Sequence, residues 1–259
     1  MEFSELITKR QSIRKYKEAD VPDDALLEML GAARIAPSGK NMQNWHFVVI
    51  KRKDLIDKIA DAVLKCNEEI SSGMEARGVD GTEADKANIP QGAGVAQAPD
   101  RFRKFVRNFT LFFTNAPVLV VVMGQTYLPT GYREMEAAGA DDDALRRHAH
   151  LASPGMQSLG AAVEHLMLKA VEMGYGGCWL TSANYAAKAI EEIVVNETDF
   201  PYALLRNEEK SSNEPVIGGI DPTYENGWFM ASLISLGVPE DGAKSPGRKP
   251  LEKIMTLVK

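Results

Sequence analysis

Residues Lys9 to Tyr16, KRQSIRKY, place four cations and a serine within eight positions of a chain whose net charge is -6. On extended backbone Arg10, Ser12 and Arg14 alternate onto one side. Two guanidinium forks with a hydroxyl between them are suited to a phosphate. The cluster reads equally as the solvated basic end of a helix, where cations complement the dipole. A second stretch, APSGKNMQNWHFVVI, has Pro37, Ser38 and Gly39 as a tight turn, then presents the amides of Asn41 and Gln43 just before a strand. Amides at a strand mouth suit a polar heterocycle, and they suit local Asx hydrogen bonding as well.

The other chemistry-bearing residues read more plainly. His148 and His150 flank Ala149 near acidic residues and read as an exposed pair, not as metal ligands. His46 follows Trp45 on a strand and points to the opposite face. His165 falls on a helix as a packing residue, and Cys178 on an apolar strand is a small core residue. No metal site is expected.

The elements that must position these groups follow from apolar spacing. Phe3, Leu6 and Ile7 predict a short helix over Glu2 to Arg10, which delivers the basic cluster at its C-terminal end. VPDDALLEMLGAAR predicts a second helix capped by Asp23 or Asp24, with Leu26, Leu27, Leu30 and Ala33 inward, stopping at Pro37. Trp45 to Ile50 reads as a strand, followed by a helix from Asp54 with Leu55, Ile56, Ile59, Ala62 and Val63 on one face. From Cys66 to Asp100 the periodicity fades, and residues 66–100 read as a surface insertion or lid. Phe102, Phe105, Phe109 and Phe112 recur at helical spacing as core or site cover. PVLVVVMG predicts a strand buried on both faces. Met156 to Met173 reads as a central helix, GGCWLT as a strand, AAKAIEEIV as a helix after a cap at Ser182 to Asn184, and Trp228 to Val238 as the last strand. The terminal arm, with Leu251, Ile254, Met255 and Leu257, has no partner left in sequence and must lie on something already built.

Composition narrows the function. A 44% hydrophobic fraction over 259 residues suffices for one large core, and no apolar run approaches the roughly 20 residues of a membrane span. The opening residues lack the pattern of a secretory signal, so a cytoplasmic protein is expected. Two cysteines exclude a disulfide framework and a cysteine-ligated cluster. The acidic balance argues against general nucleic-acid affinity. No internal repeat and no long linker divides the chain, so residues 1–259 are expected to form a single domain.

Taken in order, RxSxR, APSGxNxQxW, GYGGCW and RKPLE resemble the FMN-dependent nitroreductase family, a likeness covering nearly the whole chain from Phe3 onward. It implies an α+β fold, with a mixed central sheet flanked by helices, in an intertwined homodimer holding one FMN at each of two subunit interfaces. It implies hydride transfer from NADH or NADPH through flavin N5 to a nitroaromatic, quinone or similar acceptor in a ping-pong cycle. Alternatives of the same fold are a reductive dehalogenase, a dehydrogenase of one metabolite, or a protein that binds FMN without turnover.

By this resemblance Arg10 and Ser12 contact the phosphate and ribityl chain, and Arg14 sits beside the N1 and C2 carbonyl region. Pro37, Ser38 and Asn41, with Gln43, edge the ring. Thr181 and Ser182 bring backbone amides toward N5 and O4, and Arg248 returns to the phosphate, often across a dimer. No catalytic acid–base residue is implied. Two departures stand out: Asn44 where many members have proline, and Pro246 where some have a lysine, leaving Lys244 or Lys249 as substitutes.

Overall fold

Each strand of the sheet carries apolar side chains on both faces, so it needs helices above and below. The computed structural model describes residues 1–79, 98–125, 127–151, 153–202, 227–240, 242 and 247–258. Strands β1 (Trp45–Ile50), β2 (Val118–Gln125), β3 (Gly176–Leu180) and β4 (Trp228–Gly237) form one sheet in the order β1-β2-β4-β3, every neighbour antiparallel. Its parallel element is the isolated bridge from Ser12 to Gly177. Along β2, Val118, Val120 and Val122 face one core while Leu119, Val121 and Met123 face the other, as a period of two requires.

Helices α1 (Phe3–Lys9), α2 (Asp23–Arg34), α3 (Lys53–Ala76), α4 (Pro99–Phe105), α5 (Tyr132–Ala137), α6 (Asp142–Arg146), α7 (Pro154–Glu172) and α8 (Ala187–Glu197) surround the sheet. Met29 and Ala33 of α2 pack with Leu159, Val163 and Leu166 of α7 on one face. Ile56, Ile59 and Val63 of α3 pack with Ile190 and Val194 of α8 and with Phe113 on the other. His165 Nδ1 lies 3.3 Å from the Ala32 carbonyl, a helix–helix packing contact, and Cys178 is buried, as expected for both.

Several inward assignments change. The buried face of α2 is Ala25, Leu26, Met29 and Ala33; Leu27, a helical step away from that stripe, is 69% exposed. Ala60 of α3 is fully buried whereas Ala62 is half-buried. Helix α3 continues to Ala76, so residues 66–76 are helix, and Arg103 ties α4 back to it through Glu68 and Glu75. Residues 80–97 of the expected lid lie outside the described residues. The phenylalanine run does not keep one helical face. After α4 the chain forms a π turn (Val106–Thr110) and a 3₁₀ turn (Leu111–Asn115). This change of period turns Phe113 fully inward and leaves Phe109 59% exposed, stacked on Phe105.

Candidate functional site

The basic cluster emerges from α1 at its C-cap, Arg10, where the backbone turns extended. Ser12 then bridges Gly177 in parallel, and Ile13 N–H donates to the Gly177 carbonyl at 2.9 Å. Ile13 and Tyr16 are buried, and the Tyr16 hydroxyl lies 2.7 Å from both the Ile13 carbonyl and Ser235 Oγ. With Ile13 held inward, Ser12 and Arg14 must face outward, and both are exposed. Close approach depends on Gly176: a Cβ there would lie 2.5 Å from Ile13 Cγ1.

Burial raises the Cys178 thiol pKa, while the Arg14 charge, the nearby Ser12 hydroxyl and the Arg10 charge oppose that rise. Arg10, Ser12 and Arg14 thus all lie along the segment beside β3 (Gly176–Leu180). Arg14 lies 5.6 Å from the centroid of the Phe112 ring and has no ion-pair partner among the described residues; Arg10 Nε is 3.7 Å from Glu164 Oε1. The arrangement is an extended cationic corner with a hydroxyl at its centre, fit for a phosphomonoester. Phe112 and Glu164, which orient the two arginines, carry no sequence signal because they come from distant elements.

Four residues beyond Gly177, about 13 Å along a strand, lie Thr181, exposed, and Ser182, half-buried. They open a turn closed by Asn184 N–H donating to the Thr181 carbonyl at 3.1 Å. Asn184 Nδ2 donates to the Ala231 carbonyl at 2.8 Å, and its buried Oδ1 has no partner. The corner and this turn thus bracket a stretch suited to a ribityl phosphate and the polar edge of a flavin ring.

The second motif forms a strained turn. Lys40, Asn41 and Gln43 have φ of 54°, 55° and 46°, a left-handed conformation that side chains disfavour. Ser38 Oγ accepts from Gln43 N–H at 3.0 Å and the Ser38 carbonyl from Asn41 N–H at 3.0 Å. Gly39 N–H donates to Ser158 Oγ at the start of α7, at 3.1 Å. Pro37, Asn41 and Gln43 are exposed, and Ser38 is half-buried. Lys40 and Met42 line a cavity of about 400 Å³ with Gln125, Tyr127 and the chain around Thr130. His148 Nε2 is 2.8 Å from the Thr130 carbonyl on the same loop; the His150 side chain lies outside the described residues. Trp45 packs into the α2–α7 core, whereas His46 faces the other way into Phe200, Tyr202 and Trp228, where burial lowers its pKa.

The two motifs belong to opposite edges of the sheet, and both touch α7, Gly39 at Ser158 and Arg10 at Glu164. Strand β1 is at one edge of the sheet and β3 at the other. Trp45 aligns through Gly124 with Phe229, while Leu180 aligns with Leu233. Three strand spacings across and four residues along separate Leu180 from Trp45 by roughly 20 Å, and Ser12 lies farther still. Arg10, Ser12 and Arg14 share an edge with Thr181 and Ser182; Pro37, Ser38, Asn41 and Gln43 lie at the opposite edge. Arg248 is exposed on coil after β4, as is Lys249; Lys244 and Pro246 lie outside the described residues.

Comparison with known proteins identifies the fold and the family. The structure is similar to a BluB-like flavoprotein from Clostridium difficile 630, with 44% identity, a TM-score of 0.79 and all of both chains covered. It shares its fold with a nitroreductase with bound FMN from Desulfitobacterium hafniense DCB-2, at 17% identity and a TM-score of 0.60 over 99% of this chain and 97% of that one. Iodotyrosine deiodinase 1 of Rattus norvegicus is 40% identical over 70 residues, 27% of this chain and 24% of that protein. The chain thus matches only about a quarter of that relative's length. The family model described as "Nitroreductase family" matches residues 7–202, so the chain belongs to the FMN-dependent nitroreductase family.

Proposed function

We propose that the protein is an FMN-dependent NAD(P)H oxidoreductase that works as a homodimer and reduces a flat, electron-poor acceptor such as a nitroaromatic or quinone. The observation that carries this reading is the placement of Arg10, Ser12 and Arg14 on one extended segment bridged to Gly177 at one edge of the sheet, with the polar turn of Ser38 to Gln43 at the other. In this reading a second copy supplies the ring-edge turn to the flavin held by the first. Exposed apolar surface supports that partner: Leu251, Ile254, Met255, Leu257 and Val258 of the terminal arm are 49% to 88% exposed. Apolar surface of this extent on consecutive turns of chain is characteristic of an interface.

FMN, when bound, supplies hydride acceptance and delivery at N5. The residues of this chain do the rest. Arg10 and Ser12 would hold the phosphate with charge-assisted bonds. Arg14 would supply a fixed positive charge to the flavin, which gains negative charge on reduction. The Thr181–Ser182 turn would offer backbone donors, and Ser38, Asn41 and Gln43 of the second copy would edge the ring. The cavity beside Lys40 and Met42 is of the size that admits a one- or two-ring acceptor.

The local identity with iodotyrosine deiodinase favours a second reading, reductive removal of halide from a halogenated phenol. In that reaction two electrons and a proton replace the carbon–halogen bond by carbon–hydrogen and release halide.

The test is the visible spectrum of the purified protein before and after anaerobic NADH or NADPH, followed by a nitroaromatic, a quinone or an iodophenol. Bleaching by nicotinamide and recovery with the acceptor are expected, with halide release marking the second reading. Bound flavin without nicotinamide oxidation above the free-flavin rate indicates a storage protein. A protein that neither carries nor takes up FMN overturns the proposal.

A further inference from the structure

Asn44 stands where the family resemblance leads one to expect proline, and it is 2% exposed. Its Nδ2 donates to the Gln125 carbonyl at 3.1 Å and to the Gly155 carbonyl at 3.2 Å, while its own carbonyl accepts from Gln125 N–H at 3.0 Å. One carboxamide therefore ties the mouth of β1 to the end of β2 and to the first turn of α7. Its Oδ1 is buried and unpartnered, as is the Tyr127 hydroxyl nearby. Both side chains press on Gly155, whose Cβ position lies 3.2 Å from Asn44 Nδ2 and 3.2 Å from Tyr127 Cε1.

The residue before a proline is restricted to extended backbone. Gln43, immediately before Asn44, has φ of 46°. A proline at 44 is therefore incompatible with the turn seen here. Three left-handed side-chain residues in four positions persist only where the surroundings over-determine them. Two latches do so: Gly39 to Ser158, whose hydroxyl in turn donates to the Pro154 carbonyl at 2.9 Å, and Asn44 to Gly155. Both hold the turn to the same end of α7. An apolar residue at 44 fills the space without burying an unpaired acceptor, so what the carboxamide adds is its two donors.

We infer that Asn44 is a positioning residue for the ring-edge turn: its carboxamide locks Lys40, Asn41 and Gln43 in the left-handed conformation and so sets how Ser38 and Asn41 meet the flavin. This rests on the flavin reading above. A hydrogen bond of this kind is worth about fivefold in an equilibrium, so losing both donors frees the turn roughly 25-fold more often.

The test compares parent, Asn44→Asp and Asn44→Pro for FMN affinity, the visible band of bound flavin and its midpoint potential, with Arg10→Ala as a control and Ser158→Ala for the other latch. Asp is isosteric but cannot donate to two carbonyls; Pro forbids the Gln43 conformation. Both are expected to weaken FMN by about tenfold or less while shifting the band and the potential. Arg10→Ala is expected to weaken FMN far more and leave the band of the remaining complex unchanged. Ser158→Ala should shift the band in the same direction, which keeps the test decisive if a residue 44 variant fails to fold. Variants with reduced thermal stability but an unchanged band and potential overturn the inference, because Asn44 is then a fold residue only. A parent without FMN overturns the flavin reading and this inference together; a parent with FMN and indifferent variants overturns this inference alone.

Discussion

Gly176→Ala is the sharpest perturbation of the link between sheet and site. A Cβ at this position falls 2.5 Å from Ile13 Cγ1, 3.2 Å from Ile13 Cβ and 3.5 Å from Pro239 Cβ. Carbon atoms in contact prefer about 3.5–4.0 Å, so Ile13 must retreat by roughly 1 Å. It cannot do so alone, because it is 5% exposed and its backbone is fixed by Gly177 and Tyr16. Overpacking of this kind costs about 1–3 kcal/mol. Gly176 has no positive φ, so alanine recovers about 0.4–1 kcal/mol through the unfolded chain. The expected net loss is about 1–2 kcal/mol in urea unfolding. Ser12 and Arg14 move with Ile13, so FMN affinity should fall by about tenfold or more, a misplacement effect. A double-mutant cycle isolates the clash. Ile13→Ala alone should cost about 2–5 kcal/mol, but in the Gly176→Ala background about 1–2 kcal/mol less, because the atom that collides is gone. Additive costs together with parental FMN affinity in Gly176→Ala would refute the claim that this glycine seats the cationic corner.

Two further outcomes follow from charge. Arg14→Ala is expected to lower the midpoint potential of bound FMN more than it weakens binding, with Arg14→Lys restoring much of the potential; redox titration beside fluorescence titration checks this, and equal potentials remove the role assigned to Arg14. His46 favours its neutral form in the fold because burial lowers its pKa below the ordinary value of 6.5. Its contribution to stability is complete above about pH 6.5 and is lost as pH falls through the lower folded value. Melting temperatures from pH 7.5 to pH 5 should therefore drop less steeply for His46→Gln than for the parent, and parallel profiles would contradict the assignment.

The elements were legible where one periodicity ran unbroken. Val118 to Met123 is apolar on both faces and is buried on both. The apolar face of Pro154–Glu172 is equally plain and packs against that strand. Legibility failed where the period changed: the π and 3₁₀ turns after Phe105 rotate the phenylalanines in a way that no spacing rule at 3.6 residues anticipates. The ten residues of helix α3 past Cys66 were not legible because Asn67 and Ser71, polar residues that belong to no apolar stripe, occupy its buried face.

For the site, local sequence was enough to put Ser12 and Arg14 on the side of the chain opposite Ile13, since that alternation is a property of extended backbone alone. It was also enough to mark Asn44 as a departure. That RxSxR lies against Gly176 and Gly177, that Phe112 and Glu164 face its arginines, and that the ring-edge turn lies at the far edge of the sheet were decided by tertiary structure. The reason is strand order: β1 and β3 are separated by β2 and β4, and antiparallel pairing of strands distant in sequence is set by which faces bury together, a quantity that belongs to the packed chain and to no segment of it.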